Sequence, residues 1–188
     1  MPCSERFEEK NKERELLTIE EQKKLFATPC RREDVRIAFI FSCLTGLRMS
    51  DVLALCPKHI KQSPDSKSEF IEIVQEKTEE TVVVPLLPQA KQYLNEGKEY
   101  DEPYLTLPSK AAVSRCIDQW VEKAWISKHI TFHVSRHTFG TLLVSSGGEI
   151  KTVSSLLGHA SVDNTQIYTD VDMRKKEDAM SGLAALFG

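Results

Sequence analysis

What this 188-residue sequence lacks narrows its function first. No apolar run approaches the roughly 20 residues needed to cross a bilayer, so no membrane partner is expected. The charged start, Met1-Pro2-Cys3-Ser4-Glu5-Arg6, has no apolar stretch of the secretory kind, and the expected location is cytoplasmic. Paired cysteines are missing too. The five present (Cys3, Cys30, Cys43, Cys56 and Cys116) are odd in number, scattered, and without a C-x-x-C step. That argues against both a disulfide framework and structural zinc. Cys43 and Cys116 sit among apolar residues and read as small core fillers.

Excess positive charge is also absent. The net charge of -3 counts against a tight grip on a phosphate backbone, which usually requires a basic excess. A local basic cleft can coexist with an acidic outer surface, so this implies weak DNA binding by the chain alone rather than none. A hydrophobic content of 40% and a charged content of 28% suit an ordinary globular domain, and the length fits one core. No internal repeat or low-complexity segment is found.

The first fifteen residues are charge-dense and read as a linker or tether. Thr18-Ile19-Glu20-Glu21 has the pattern of a capping box and predicts a helix start. Val35 to Leu44 predicts a helix stopped by Gly46, and a short helix follows Ser50 and ends before Pro57. Phe70 to Val74 and Val82 to Val84 are β-prone runs flanking Glu76-Lys77-Thr78-Glu79-Glu80, a hairpin whose turn lacks the usual Gly or Asn. From Ser109, the set Val113, Cys116, Ile117, Trp120, Val121 and Ala124 has helical spacing. Further helices are predicted from Phe132 to Gly147, from Ile150 to Gly158, after Ser161, and over the tail from Met173. The fold class is therefore mainly α (α+β), with one small antiparallel sheet or hairpin.

Taken singly, the polar residues that could do chemistry have plain alternatives. Arg48 reads as a solvated arginine at a helix junction, and Lys77 as surface. His133 and Arg136 are more telling. With Thr131 as N-cap they fall one turn apart on one face, near a helix N-terminus that favours an anion. His129, His133 and His137 are spaced by four and would suit a metal on a continuous helix. A helix starting after Thr131 leaves His129 outside it, and no H-E-x-x-H carboxylate accompanies them. His159 follows the stop at Gly158. A lone Tyr168 is usually a packing residue, and Ile150 to Tyr168 also has a helix-turn-helix outline.

Together, these residues resemble the tyrosine site-specific recombinases of the phage-integrase type. Thr45-Gly46-Leu47-Arg48-Met49-Ser50-Asp51 is similar to the family's first signature, an arginine with an acidic residue three positions on. His133-Val134-Ser135-Arg136-His137 resembles the second. Leu157-Gly158-His159, followed by Thr165 and Tyr168, resembles the third, with nine positions from His159 to Tyr168. Glu76-Lys77-Thr78 stands where the family carries a catalytic lysine. The resemblance assigns residues 16–180 to a catalytic domain and leaves 181–188 as an apolar tail. Leu183, Leu186 and Phe187 make that tail a docking segment, in cis or onto a neighbouring protomer.

The resemblance implies that Tyr168 attacks a DNA phosphodiester and forms a 3′-phosphotyrosyl bond. Arg48, His133, Arg136 and His159 would stabilise the phosphate and Lys77 would protonate the leaving 5′-oxygen. Asp51 would orient the site from behind, and His137 would either assist or simply pack. No cofactor, metal or ATP is implied. The implied partner is double-stranded DNA, held by a tetramer, with the chain monomeric or weakly associated alone. The family's N-terminal core-binding domain has no room within these residues. Rival readings are a type IB topoisomerase, a non-catalytic helix-turn-helix module and a metal hydrolase using the three histidines.

Overall fold

The computed structural model describes residues 16–63, 68–95, 97–158 and 170–187, with side chains of 175–185 in the last segment. The linker expected over residues 1–15 lies outside them. Helix α1 (Ile19–Ala27) opens on the predicted capping box: the Thr18 hydroxyl accepts the Glu21 N–H at 3.1 Å, and the Glu21 carboxylate accepts the Thr18 N–H at 2.8 Å. Helix α2 (Glu33–Thr45) starts slightly before Val35, because Glu33 and Asp34 suit the positive end of the helix dipole. It stops at Gly46, whose φ of 71° is left-handed. The short α3 (Met49–Ala54) ends ahead of a single 3-10 turn at Pro57–His59.

A strand with no sequence signal follows, β1 (Ile60–Gln62), too short and exposed to show alternation. It pairs antiparallel with β2 (Glu69–Val74), which forms the predicted hairpin with β3 (Thr81–Pro85), giving the order β1-β2-β3. Ile71 stands opposite Val84 and Ile73 opposite Val82. The turn manages without glycine because Glu79 itself takes a φ of 57°. The Gln75 N–H donates to the Glu80 carbonyl and the Glu79 N–H to the Gln75 carbonyl, both at 2.9 Å.

The remaining elements are α4 (Pro88–Lys91), α5 (Lys110–Lys123), α6 (Phe132–Ser145), α7 (Ile150–Leu157) and α8 (Asp170–Phe187). Ser109 caps α5 through its side chain, and Gly158 ends α7 with a φ of 59°. Thr131 holds the predicted N-cap position of α6, without a side-chain capping bond. The helix expected after Ser161 falls on residues outside the description up to Asp170.

Two apolar clusters make the core. The first surrounds α2, buried continuously from Ala38 to Thr45, as a helix apolar on nearly every side must be. The predicted stripe of α5 packs on it: Phe39 meets Trp120 edge to face at 5.7 Å, and the Trp120 indole N–H donates to the Thr28 carbonyl at 2.8 Å. Cys43 and Cys116 are buried here, as fillers. The second cluster joins Val82 and Val84 of the sheet to Phe139, Leu142 and Leu143 of α6. Val153, Leu156 and Leu157 of α7 and Met180 and Leu183 of α8 complete it. Thus Leu183 of the apolar tail is buried against its own domain, while the side chains of Leu186 and Phe187 lie outside the description. Among the described residues no helix is long and apolar enough to cross a membrane.

Trp120 is the largest fully buried side chain and joins α5 to α2. Trp120→Ala is expected to cost about 3–5 kcal/mol in urea unfolding; a loss below about 1 kcal/mol would place the main core elsewhere.

Candidate functional site

Three chain segments meet where α2 ends, α7 ends and α6 passes between them, and Arg136 of α6 holds them together. It is 3% exposed. Its Nη1 donates to the Gly46 carbonyl at 2.8 Å and its Nη2 to the Leu157 carbonyl. Gly46 caps α2 and Leu157 is the last residue of α7, so both carbonyls belong to helix ends that have no partner within their helix and carry partial negative charge. The buried cation answers both. Gly46 is required there twice over: its φ is left-handed, and a Cβ would stand 2.5 Å from the Phe139 ring.

Burial, and then the positive charge of Arg48, pull the Arg136 guanidinium down to about 10, with Asp51 opposing. It remains charged at neutral pH, and it feels a second guanidinium close by. Arg48 stands at the N-terminus of α3, half-buried, and its Nη1 donates to the Gln75 side-chain oxygen. Among the described residues both arginines therefore donate to neutral oxygens, and neither charge is cancelled by the groups it bonds there. Two adjacent guanidiniums with N–H groups to spare form a setting for a phosphate, which each can grip with paired bonds.

The loop between α2 and α3 that positions Arg48 is fixed from beneath. Ser42 donates to the Leu47 carbonyl at 2.7 Å and lies 2.6 Å from the Ser135 hydroxyl on α6. Asp51, buried, accepts the Arg48 backbone N–H at 3.3 Å and the Gln75 side-chain amide at 3.3 Å. Asp51 thus lies against the backbone of Arg48 and bonds the same Gln75 side chain that Arg48 does.

His133 precedes Arg136 by one turn of α6 and is exposed, with the half-buried His137 edge-on to it at 4.5 Å between ring centres. His129 lies in the loop before α6, with Nδ1 3.9 Å from the Asp118 carboxylate. The three histidines are therefore not on one continuous helix, and among the described residues no three metal-ligating side chains converge. Lys77 is exposed on the turn between β2 and β3. His159 and Tyr168, with the second half of the helix-turn-helix outline, lie outside the described residues.

Gln75 was not singled out by sequence reasoning. Its signal was available: β2 buries every second residue, Ile71 then Ile73, and the next inward position is a polar Gln75, also fully buried. A polar residue at an inward strand position needs partners.

The clamp gives Arg136 a duty that does not depend on a ligand. A lysine offers its donors from a single atom and does not reproduce the paired grip of the two guanidinium nitrogens. Arg136→Lys is expected to lower the DNA-free unfolding free energy by about 1–3 kcal/mol in urea titration. An unchanged midpoint would mean that the clamp contributes nothing.

Residues 15–175 match the model of the phage integrase family. Tyrosine recombinase XerC of Chlamydia caviae is 30% identical over 181 residues, covering 86% of this chain and 56% of that protein. The chain thus spans little more than half the length of that relative. Among solved structures, the integrase of mycobacterium phage Brujita aligns at a TM-score of 0.68 and 19% identity, over 90% of this chain and 57% of that one. The catalytic domain of bacteriophage HP1 integrase aligns at 0.61 and 21% identity, over 92% of this chain and 93% of that one. These likenesses show the same mainly helical fold with its small antiparallel sheet. With the family match running through the arginine pair, the hairpin and α6, the chain belongs to the phage integrase family.

Proposed function

We propose that this chain is the catalytic domain of a site-specific DNA recombinase, cutting and rejoining strands through a covalent bond to Tyr168. The observation that supports this reading is that Arg48 and Arg136 come together at the ends of α2 and α7: Arg136 bonds the Gly46 and Leu157 carbonyls, and Arg48 bonds Gln75, whose side-chain oxygen lies against Gly158. Such a pair suits the extra negative charge of a pentacoordinate phosphate.

In the proposed reaction the Tyr168 oxygen attacks phosphorus and the bond to the 5′-oxygen breaks. An unperturbed tyrosine has a pKa of about 10, so a base must take its proton, and His133 or His159 has that role. Lys77, on the exposed hairpin turn, gives a proton to the leaving 5′-oxygen. Asp51 orients Arg48, and His137 braces His133 through the edge-on ring contact. The phosphotyrosyl bond conserves the energy of the broken bond, so rejoining to another 5′-hydroxyl needs no ATP. The two arginines take the part that a divalent ion plays in other phosphoryl transfers, so the reaction as written needs no metal or cofactor.

The proposed partner is double-stranded DNA, in the cytoplasm. A lambda integrase of the same fold is described as a tetramer bound to a Holliday junction, and we extend that assembly to this chain on DNA. The net charge of -3 supports weak binding by the chain alone, as a monomer or loose associate.

A nicked suicide duplex, which loses its short 5′-hydroxyl fragment on cleavage, tests the reading. On denaturing gels with a chelator present, a protein–DNA adduct is expected, absent in Tyr168→Phe. Lys77→Ala is expected to slow it by roughly 10²–10⁴-fold. An adduct that persists in Tyr168→Phe would refute the assignment of the attacking residue.

A further inference from the structure

We propose that Gln75 is a positioning residue that locks the turn carrying Lys77 to Arg48, so that the leaving-group acid and the phosphate grip are set as one unit. This rests on the recombinase reading above.

Gln75 ends the inward row of β2, two positions before Lys77, and is fully buried. Its side-chain oxygen accepts from the Arg48 guanidinium and from the Thr78 hydroxyl, the latter at 3.1 Å. Its amide nitrogen donates to Asp51 at 3.3 Å. Its backbone N–H and carbonyl close the turn on Glu80 and Glu79. One side chain thereby touches the start of α3 and the residue after Lys77. It also occupies space beside the third signature: its oxygen lies 2.6 Å from where a Cβ on Gly158 would stand. Gly158 admits this approach because it has no side chain, and its left-handed φ requires the same residue.

A strand that needed only a core would continue the apolar row of Ile71 and Ile73. A buried amide is costly unless both its ends are bonded, and here both ends are bonded to the proposed site. Thr78 makes the connection specific to the turn. With it, the residue next to Lys77 is tied to the same oxygen that holds Arg48, and displacement of either is felt by the other.

The test compares two suicide duplexes, one natural and one with sulfur replacing the 5′-bridging oxygen at the cleavage point. A thiol has a pKa near 8.5, so a 5′-thiolate departs without a proton and the sulfur duplex bypasses the acid. Gln75→Met keeps the volume and removes the hydrogen bonds. In single-turnover cleavage by the full chain, Gln75→Met is expected to be slower on the natural duplex by about 10-fold or more. On the sulfur duplex it should come within about threefold of the parent chain. Lys77→Ala, run alongside, should show the same recovery.

Equal slowing on both duplexes would mean that Gln75 serves Arg48 or the fold alone, and an unchanged rate on the natural duplex would mean that it positions nothing. Either overturns the coupling. If Lys77→Ala recovers and Gln75→Met does not, only the coupling fails. If neither recovers, the acid assignment fails and takes the coupling with it. Should Gln75→Met melt far below the parent, Thr78→Val decides by the same criteria, since it cuts only the link between the turn and Gln75.

Discussion

A buried guanidinium at the meeting point of two helix C-termini governs this structure. Arg136 donates to carbonyls at the ends of α2 and α7 from the second turn of α6, and so fixes the spatial relation of all three. Placing a cation there carries a desolvation cost, visible in its lowered pKa, which the negative ends of the two helices offset in part. The same charge then becomes useful. Among the described residues it bonds two carbonyls rather than a carboxylate, which suits a group that is also to meet an anion. Stability and the proposed phosphate contact thus draw on one side chain.

Everything near the site refers back to this junction. Gly46 must be glycine for the α2 carbonyl to face Arg136 with the Phe139 ring so close. Two residues later the chain reaches Arg48, steadied by Ser42 under Leu47 and by Asp51 at its own N–H. At the far side Leu157 receives the second bond and Gly158 ends α7 in a left-handed conformation. The two apolar clusters give this junction rigid walls, because α6 contributes Val134 to one and Phe139, Leu142 and Leu143 to the other.

Much of the fold was legible because its signals are local. The capping box at Thr18, the stops at Gly46 and Gly158 and the stripe of α5 each occupy a few consecutive residues, and each forms as the pattern implies. β1 left no trace, since three exposed residues cannot show an alternation. The sequence names candidate site residues but not their arrangement. Arg136 finds its carbonyls 90 and 21 positions away, and nothing local to His133-Val134-Ser135-Arg136 announces them. Gln75 was hidden for another reason: it lies one residue past the end of β2 at Val74, so its inward position shows only if the alternation is carried beyond the strand.

The central claim is that Arg136 builds the site as well as serving it, whereas Arg48 acts chiefly on phosphate charge. A methylphosphonate at the cleavage point removes one negative charge from the substrate and lowers the demand for a cation there. On such a duplex, Arg48→Ala is expected to regain adduct formation while Arg136→Ala stays inactive, because the ends of α2 and α7 have lost their clamp. Equal recovery of both variants would contradict the account and reduce Arg136 to a charge facing the phosphate.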